Sequence, residues 1–517
     1  MSSRTMQAAP LQASPDGERA RLSVHATPLP DIVRPERLTP VERLEALCDP
    51  GSIRVLRSRV SSPRLGERAA PGDGVVGATG LVHGRPIACY AQDGRFFGGA
   101  LGELHAETIV RVLQTAERAR IPVVGFVESG GARIQEGTAA LAGYGRIFRE
   151  TVRLTGVVPQ ISIVSGASAG GGAYSPALTD LIVMTEDAAM FLTGPGVVRD
   201  ALGEEIDAAA LGGPRVHDRN GVCHLVEADE ASAANRVREI LGYLPSVAGG
   251  PLPRAGARAG TGENPGDHVP AEPRRAYDVR LPLQAIVDRD SLLELQPRWA
   301  RNVVTALARI DGRPVAIVAN QPRYLGGVLD AESSEKAARF IGFCDSFGLP
   351  LVAVVDTPGF MPGSKQEAAG VIRYGASLVR AFAAARSPKF TVVLRKSYGG
   401  AYITMNSRDL GADLVMAWPD AELGIMSAKA AVGIVNRRQL RVAPDAEAER
   451  ERLAEAYAEE HLRADSAAAA GFVDEIIEPV ETRDRLIRAL KTFGGEIGGA
   501  GWSLSDALLA PSAPARR

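Results

Sequence analysis

The chain has 517 residues, 45% of them hydrophobic, and a formal net charge of -2, as expected for a globular protein of more than one domain. The balanced charge argues against nucleic acid as a partner, and no apolar run reaches the roughly 18 residues that span a bilayer, so no membrane partner is expected. The four cysteines lack CxxC spacing, which argues against a zinc ribbon or a disulfide framework and favours a cytoplasmic location.

The predicted elements alternate between strands and helices along the chain. Residues 1–35 are rich in Pro, Ser and Ala without apolar periodicity, and they are predicted to form a flexible tail. A helix is predicted from Leu38 to residue 49, followed by strands over 74–80 and 86–90. A helix over 105–120 and a buried strand over 122–127 come next. This alternation predicts an α/β fold.

Two Gly-rich segments are the most informative feature. Ser168-Ala169-Gly170-Gly171-Gly172-Ala173-Tyr174 follows an apolar run at 161–164, and Ser397-Tyr398-Gly399-Gly400-Ala401-Tyr402 follows one at 391–394. Each predicts a strand-to-helix turn whose backbone N–H groups lack partners and could hold a developing oxyanion. For one such turn taken alone, a tight junction packed for the sake of the fold is the simpler interpretation.

The second half of the chain repeats the first. Segment 310–314 resembles segment 82–86, and segment 399–402 resembles segment 171–174, in both cases at an offset of 228 positions. We therefore predict two homologous domains at 36–250 and 276–500, a linker at 251–275 and a frayed tail at 501–517. Two domains of one fold could bring their N–H pairs to a shared cleft, with one ligand for each.

Common catalytic motifs are absent from the sequence. It contains no GxxxxGK[ST], HExxH or GxSxG segment. His217 and His224 could act in acid–base chemistry, but their surroundings favour structural roles. Glu128 and Asp356 end equivalent strands, where a carboxylate could polarise a ligand or cap the turn. The chemistry that fits best is reaction at the carbon beside a thioester, because it needs oxyanion stabilisation more than a strong base.

Five segments together resemble the carboxyltransferase (beta) subunit of biotin-dependent acyl-CoA carboxylases, the acetyl-/propionyl-CoA carboxylase group. They are residues 129–137, 170–177, 191–195, 356–363 and 395–402, and the resemblance extends from about residue 38 to about 490. It implies two crotonase-type (ClpP/crotonase) domains and transfer of a carboxyl group from carboxybiotin to the α-carbon of an acyl-CoA. It also implies a homohexamer, a trimer of dimers, with each site between one subunit's N-terminal domain and a partner's C-terminal domain. The chain has no biotinylation site or ATP loop, so biotin is expected in trans on a carrier subunit, together with biotin carboxylase, and no metal is expected in this chain.

The resemblance also assigns residues to roles. Gly170 and Gly171 would bind the thioester oxygen, whereas Gly400 and Ala401 would bind the ureido oxygen of biotin. Other residues that contact the acyl-CoA would be Ser129, Gly130, Gly131, Arg133, Ala169, Gly172, Tyr174 and Ile403. Those that contact biotin would be Gly359, Phe360, Tyr398 and Gly399.

The acyl chain is left open by the sequence. Family members with Asp at the position of Ile403 resemble propionyl-CoA specialists, and aliphatic members resemble acetyl-CoA-capable or broader enzymes. Ser427 and Arg323-Tyr324 depart from the family pattern and could reshape the acyl pocket, so a carboxylase for an unusual acyl-CoA remains an alternative. A biotin-dependent decarboxylase of a malonyl-type CoA is the other, since the same transferase can run backward. A hydratase-like enzyme and an inactive scaffold fit the duplicated glycine turn less well.

Overall fold

A computed structural model describes residues 37–272 and 274–493. The predicted tails at 1–35 and 501–517 lie outside the described residues. In the first half the helices and strands are α1 (Pro40–Leu47), β1 (Arg54–Leu56), β2 (Val75–Val82), β3 (Arg85–Gln92), α2 (Glu103–Ala119), β4 (Val123–Ser129), α3 (Thr138–Leu154), β5 (Gln160–Ala169), α4 (Gly171–Ala177), β6 (Leu181–Thr185), β7 (Ala189–Phe191), α5 (Pro195–Leu202), α6 (Ala208–Gly212), α7 (Pro214–His217), β8 (Leu225–Glu227) and α8 (Glu230–Leu241).

The second half continues the numbering. Its elements are α9 (Arg280–Ile286), β9 (Leu293–Leu295), β10 (Val303–Ile310), β11 (Arg313–Asn320), α10 (Ala331–Ser346), β12 (Leu351–Thr357), α11 (Ser364–Ala369), α12 (Val371–Ala384), β13 (Lys389–Tyr398), α13 (Gly399–Thr404), β14 (Leu414–Ala417), β15 (Glu422–Gly424), α14 (Ala428–Val435), α15 (Arg437–Val442), α16 (Ala446–His461), α17 (Ala464–Ala469), β16 (Glu475–Ile476) and α18 (Thr482–Phe493).

The described residues form two sheets with matching strand order. The first runs β1-β2-β3-β4-β5-β6-β8 with β7 on β5, and the second runs β9-β10-β11-β12-β13-β14-β16 with β15 on β13. In each sheet the first three strands pair antiparallel and the rest pair parallel. β4 and β12 are buried along their whole length, as expected for central parallel strands covered on both faces. The predicted α/β fold is confirmed.

The internal repeat has a one-residue shift that the sequence did not reveal. β4 and β12 begin 228 positions apart, at Val123 and Leu351, but β5 and β13 begin 229 positions apart, at Gln160 and Lys389. β4 pairs with β5 in the same register as β12 pairs with β13. The prediction that the 228 offset continues into the Gly-rich turns is therefore wrong, because the connection from β12 to β13 carries one extra residue. Gly171 corresponds to Gly400 in structure, not to Gly399.

The two halves share buried contacts. Tyr243, just after α8, donates its hydroxyl to the Ser291 carbonyl at 2.8 Å, and the Arg309 guanidinium lies 4.8 Å from the Tyr243 ring centroid. Apolar side chains of α8 and of β9 and β10 belong to one core cluster. The described part of 251–275 includes a short 3-10 helix, Pro265–His268, between α8 and α9. The domain boundaries at 250 and 275 stay a prediction.

No helix in the described part of the chain is both long and apolar enough to cross a bilayer.

The two histidines that were weighed for catalysis have structural contacts. His217 Nε2 lies 2.7 Å from the Met190 carbonyl oxygen, and His224 Nδ1 accepts a hydrogen bond from the Ile182 N–H at 3.1 Å. Burial lowers the pKa of His224 to about 3, and burial also lowers the pKa of His105 to about 3. Both imidazoles are therefore neutral in the folded protein at neutral pH.

These buried histidines predict loss of stability in mild acid. Between pH 6.5 and the folded pKa, the unfolded chain binds a proton on His224 and the folded chain does not, so stability falls as pH falls. Lowering the pH to about 5 should cost about 2 kcal/mol at this residue. His224→Asn keeps a hydrogen-bond acceptor but cannot titrate. Its urea midpoint should fall less than that of the wild type between about pH 7.5 and about pH 5; equal falls would contradict the assignment.

Candidate active site

Both Gly-rich segments lie at strand-to-helix turns, as predicted. Gly170 joins β5 to α4 with φ 54° and ψ -120°, and Gly399 begins α13 with φ 61°. Both φ values fall in the region that L side chains rarely adopt, so glycine is needed at these two positions. The next residues differ in exposure: Gly171 is half-buried, whereas Gly400 is exposed.

The backbone hydrogen bonds of the two turns disagree with the predicted oxyanion donors at one residue, Gly170. The Gly170 N–H donates to the carbonyls of Phe191 and Leu192, both at 3.1 Å. Among the described residues, no hydrogen bond takes up the N–H of Gly171, Gly172, Gly400 or Ala401. Gly170 is therefore corrected from an oxyanion donor to a residue that anchors the turn on the segment after β7. The open pairs are Gly171–Gly172 and Gly400–Ala401, which are equivalent in the structural register.

The first turn packs tightly against Tyr144 and Ser129. A Cβ added to Gly171 would meet the Tyr144 ring at 2.6 Å, and one added to Gly172 would meet the Ser129 Cβ at 2.9 Å. The Ser129 Oγ lies 2.9 Å from the Tyr144 hydroxyl and accepts from the Gly131 N–H at 3.3 Å. The structure thus brings Ser129 and Gly172, two residues predicted to contact the acyl-CoA, next to each other. Tyr144 was missed, because an aromatic residue on the apolar face of α3 is typical of core packing.

Three other residues predicted to contact the acyl-CoA lie near the first turn: Gly130, Ala169 and Tyr174. The Gly130 N–H donates to the Gly98 carbonyl at 2.8 Å, so it is already engaged. Ala169 ends β5 directly before the turn, and Tyr174 lies on α4 with its side chain 51% exposed. Tyr174 is therefore accessible to a ligand.

Arg133 is corrected from a substrate contact to a positioning residue. Its side chain is fully buried and pairs with Asp73 at 2.7 Å and with Glu136 at 2.8 Å. The guanidinium also lies 5.2 Å from the Phe96 ring centroid. Breaking a buried ion cluster to reach a ligand would leave unpaired charges. Arg133 instead holds the loop after β4 in place.

The second turn has an aromatic ring in a looser contact. A Cβ added to Gly400 would lie 3.6 Å from the Phe360 ring, an ordinary van der Waals distance. Gly359, with φ 132°, places Phe360 here, and its N–H donates to the Thr357 hydroxyl at 3.3 Å. Ile403 follows on α13 and is 49% exposed. Of the residues predicted to contact biotin, Phe360 and Gly399 flank the open N–H pair.

The Tyr398 side chain is buried inside the protein. It is 5% exposed, and its hydroxyl donates to a Glu422 carboxylate oxygen on β15. Burial, together with that carboxylate, raises the pKa of Tyr398 above its ordinary value. Its predicted contact with biotin is corrected to a packing role beneath the turn.

A buried ion cluster fixes the strand ends behind the second turn. Asp356 Oδ2 accepts from the Tyr277 hydroxyl at 2.9 Å and from Arg395 Nε at 3.0 Å, and Lys396 Nζ lies 3.8 Å from Oδ1. Burial raises the pKa of Asp356 against the opposing effect of the two cations. Arg395 also donates to the carbonyls of Pro270, Glu272 and Arg275. One side chain therefore holds the segment before α9 against the end of β12.

The first half has an equivalent carboxylate with different partners. Glu128 pairs with Arg37 at 2.6 Å and with Arg43 at 2.9 Å, and Arg43 also pairs with Glu230 at 2.7 Å. Arg43 lies on α1 and Arg37 precedes that helix. Both arginines therefore come from the segment that enters the first sheet. Glu128 and Asp356 are thus structural anchors at equivalent strand ends, and the interpretation that they hold the turns is favoured over ligand polarisation.

A cavity of 590 Å³ lies beside the first turn. It is lined by Phe148, Arg149, Val152, Arg153, Tyr174 and Leu178, from α3 and the end of α4. It is a shallow depression open to solvent, and its lining is mainly apolar with two exposed arginines.

Comparison with known proteins decides the family. Residues 34–493 match the model of the carboxyl transferase domain. The chain belongs to the carboxyl transferase family.

Similar relatives of this carboxyl transferase include two bacterial subunits. The biotin-dependent acetyl-/propionyl-coenzyme A carboxylase beta6 subunit of Mycobacterium tuberculosis is 46% identical over 87% of this chain and 93% of its own. The methylmalonyl-CoA carboxyltransferase 12S subunit of Propionibacterium freudenreichii subsp. shermanii is 42% identical over 87% of this chain and 88% of its own. The predicted resemblance is confirmed.

A solved structure gives the same result. Transcarboxylase 12S, described as a hexamer with methylmalonyl-coenzyme A and methylmalonic acid bound, superposes with a TM-score of 0.85 at 42% identity, covering 89% of each chain. The predicted crotonase-type fold of this carboxyl transferase is thereby confirmed. The roles of individual site residues stay predictions.

Removing the Arg395 side chain should loosen the segment before α9. Arg395→Met leaves three carbonyls without their donor and Asp356 with one cation fewer, which should cost about 3–5 kcal/mol. Trypsin should then cut faster at Arg274 and Arg275. Arg373→Met, at an exposed arginine on α12, is the control and should change neither the thermal midpoint nor the cleavage rate. Unchanged cleavage in Arg395→Met would show that Arg395 does not hold this segment.

Proposed function

We propose that this protein is the carboxyltransferase component of an acyl-CoA carboxylase. It transfers a carboxyl group from carboxybiotin on a carrier protein to the α-carbon of acetyl-CoA or propionyl-CoA, giving malonyl-CoA or methylmalonyl-CoA. The observation that carries the proposal is the pair of equivalent turns, each with two open N–H groups. Two carbonyl compounds, a thioester and a urea, need one such pair each. The family and its acyl-CoA carboxylase relatives support this reading.

The first turn would serve the thioester. Removal of the α-proton places negative charge on the thioester oxygen, and the N–H groups of Gly171 and Gly172 can donate to it. Each removed donor of this kind typically costs about 3 kcal/mol in the transition state. The cavity beside Tyr174 leaves room for the acyl-CoA next to this turn. The similar 12S structure, which holds methylmalonyl-coenzyme A, supports a CoA ester as the ligand.

The second turn fits a urea-type ligand. Gly400 and Ala401 offer two open N–H groups for a ureido oxygen, and the Phe360 ring gives an apolar wall beside them. Bound biotin supplies the carboxyl group and a ureido nitrogen that can accept the α-proton. The chain's own residues would orient the ureido oxygen and exclude water, which is consistent with the structural roles of His217 and His224.

Biotin carboxylase and a biotin carboxyl carrier are the expected partners, with biotin acting in trans. We also propose a homohexamer, a trimer of dimers, in the cytoplasm. The hexamer described for transcarboxylase 12S supports this assembly. Exposed apolar side chains on neighbouring helices also fit a protein interface: Ile434 and Val435 on α14 are 67% and 74% exposed, and Val442 on α15 is 78% exposed.

The reverse reaction is the second candidate. A carboxyl group would pass from a malonyl-type CoA to biotin, as in a transcarboxylase or a decarboxylase. The similarity to a methylmalonyl-CoA carboxyltransferase subunit supports the reverse reaction as a second candidate. A carboxylase for an unusual acyl-CoA is a third alternative, because Ile403, Ser427 and Arg323-Tyr324 could alter the acyl pocket.

A reconstitution assay tests the proposed function. The purified chain, with a biotinylated carrier, biotin carboxylase, ATP and labelled bicarbonate, should fix label onto acetyl-, propionyl-, butyryl- or longer acyl-CoA in a panel. Omitting the chain is the control and should abolish fixation. No acyl-CoA-dependent fixation, together with clear decarboxylation of malonyl-CoA or methylmalonyl-CoA, would favour the reverse candidate.

Ile403 should influence which acyl-CoA is preferred. Ile403→Asp places a carboxylate two residues beyond Ala401, and it should shift the ratio of kcat/KM between propionyl- and acetyl-CoA about tenfold, as one changed pocket contact does. Ile403→Leu keeps the apolar surface and should leave the ratio within about twofold. An unchanged ratio in Ile403→Asp would remove this residue from acyl selection.

A further inference from the structure

We propose that Tyr144 is the positioning residue of the first turn: its ring fixes the backbone at Gly171, and its hydroxyl fixes Ser129, which packs against Gly172. This inference rests on the proposed function, in which Gly171 and Gly172 donate to the thioester oxygen. Tyr144 itself need not touch the substrate. Its role is to keep two N–H groups at a fixed place and angle.

The ring contact is unusually close. An added Cβ at Gly171 would lie 2.6 to 2.7 Å from three atoms of the Tyr144 ring, closer than real Cβ contacts allow. The backbone at Gly171 therefore packs directly against the Tyr144 ring. Tyr144 is 5% exposed and packs near Phe148, with ring centroids 5.8 Å apart. A ring held this firmly prevents the turn from moving inward.

The hydroxyl extends the same support to the loop after β4. The Tyr144 hydroxyl and the Ser129 Oγ are 2.9 Å apart, and the Ser129 Oγ accepts from the Gly131 N–H. Ser129 also faces Gly172, whose added Cβ would lie 3.1 Å from the Ser129 carbonyl oxygen. Gly171 and Gly172 are thus each backed by one member of the Tyr144–Ser129 pair. Burial raises the pKa of Tyr144 to about 12, so the hydroxyl keeps its proton at neutral pH.

The second turn uses an aromatic residue from a different element. Ala132 and Phe360 occupy equivalent positions, because they form equivalent bridges with Leu101 and Leu329. The first half therefore has a small residue in this loop and takes its ring from α3. The second half takes its ring from the loop, and Gly375 on α12 leaves room for it, with an added Cβ 3.3 Å from the Phe360 ring.

The exchange has a chemical consequence. Phe360 has no hydroxyl, and its ring would lie 3.6 Å from a Cβ added to Gly400, compared with 2.6 Å between the Tyr144 ring and a Cβ added to Gly171. The ring behind the first turn is also hydrogen-bonded to Ser129, whereas the Phe360 ring offers only apolar contact and the second turn has its hydrogen bond from the Thr404 hydroxyl to the Gly400 carbonyl, at 2.7 Å. A rigid turn suits a thioester whose charge develops at one fixed oxygen, and an adaptable turn suits a group delivered by a mobile carrier.

The decisive experiment is a rescue by a double variant. In the reconstituted enzyme, Gly171→Ala should lower kcat/KM for acyl-CoA about 100-fold, because the new methyl group displaces the turn from the ring. Tyr144→Ala should lower it about 10-fold or more. The double variant Gly171→Ala with Tyr144→Ala should recover at least about fivefold over Gly171→Ala, since the space of the ring can take the methyl group. A double variant as poor as the product of the two single effects would overturn the inference.

Two further readouts separate positioning from loss of folding. Tyr144→Phe keeps the ring and should lower kcat for the acyl-CoA step by about three- to tenfold while the KM for the biotinylated carrier stays within about twofold. Phe360→Ala should show the opposite pattern, a raised KM for the carrier. Tyr243→Phe also removes a buried tyrosine hydroxyl bond, at Ser291, far from the turns in sequence. Its thermal midpoint should fall like that of Tyr144→Phe, with kcat unchanged; equal losses of kcat in both would contradict a positioning role.

Failure of the proposed function would be seen separately. It would appear as a wild-type protein without carboxyl transfer in either direction. The inference would then be judged by equilibrium binding of propionyl-CoA, where Gly171→Ala should weaken binding and the double variant should restore it. Binding that is equal in all four proteins would overturn it.

Discussion

The whole arrangement depends on backbone amides that are left without partners. A strand that runs into a helix through glycine exposes N–H groups that neither element can use, and this chain does so twice. An unpaired amide is costly unless solvent or a ligand reaches it, and here Gly171 is half-buried and Gly400 is exposed. In the first half Gly170 gives its own N–H to the segment after β7, which fixes the direction of the following two. The catalytic proposal therefore follows from how backbone hydrogen bonds are distributed, not from a reactive side chain.

The charged clusters behind the turns serve the same end. Glu128 and Asp356 sit at the ends of equivalent strands and are held by arginines and a tyrosine, mostly out of solvent. A single buried carboxylate would disturb the strand end, but a paired one anchors several backbone segments at once. The strands next to those that carry the two turns, β4 and β12, are thus fixed at their ends by ion pairs, and an aromatic ring packs against each turn.

Much of this could be predicted from the sequence. Strand and helix positions, the duplication and the Gly-rich turns followed from periodicity and from glycine spacing, and the family followed from five segments. The sequence did not show that one extra residue separates β12 from β13, because the repeated glycines still match at the wrong offset. It also assigned Gly170, Arg133 and Tyr398 to ligand contacts, whereas their hydrogen bonds inside the protein take up the groups involved. Tyr144 carried no signal, because its partner Gly171 is distant in sequence and its helix has an ordinary apolar face.

The contacts of Arg395 with the segment before α9 have a counterpart in the first half. In each half, chain that precedes the first strand is tied to the carboxylate at a strand end: Arg37 and Arg43 pair with Glu128, and Tyr277 donates to Asp356. Arg395 adds the carbonyls of Glu272 and Arg275 to the second cluster. Each sheet is therefore closed onto the chain that enters it, so a change at either carboxylate is transmitted to backbone ahead of the sheet as well as to the strand end.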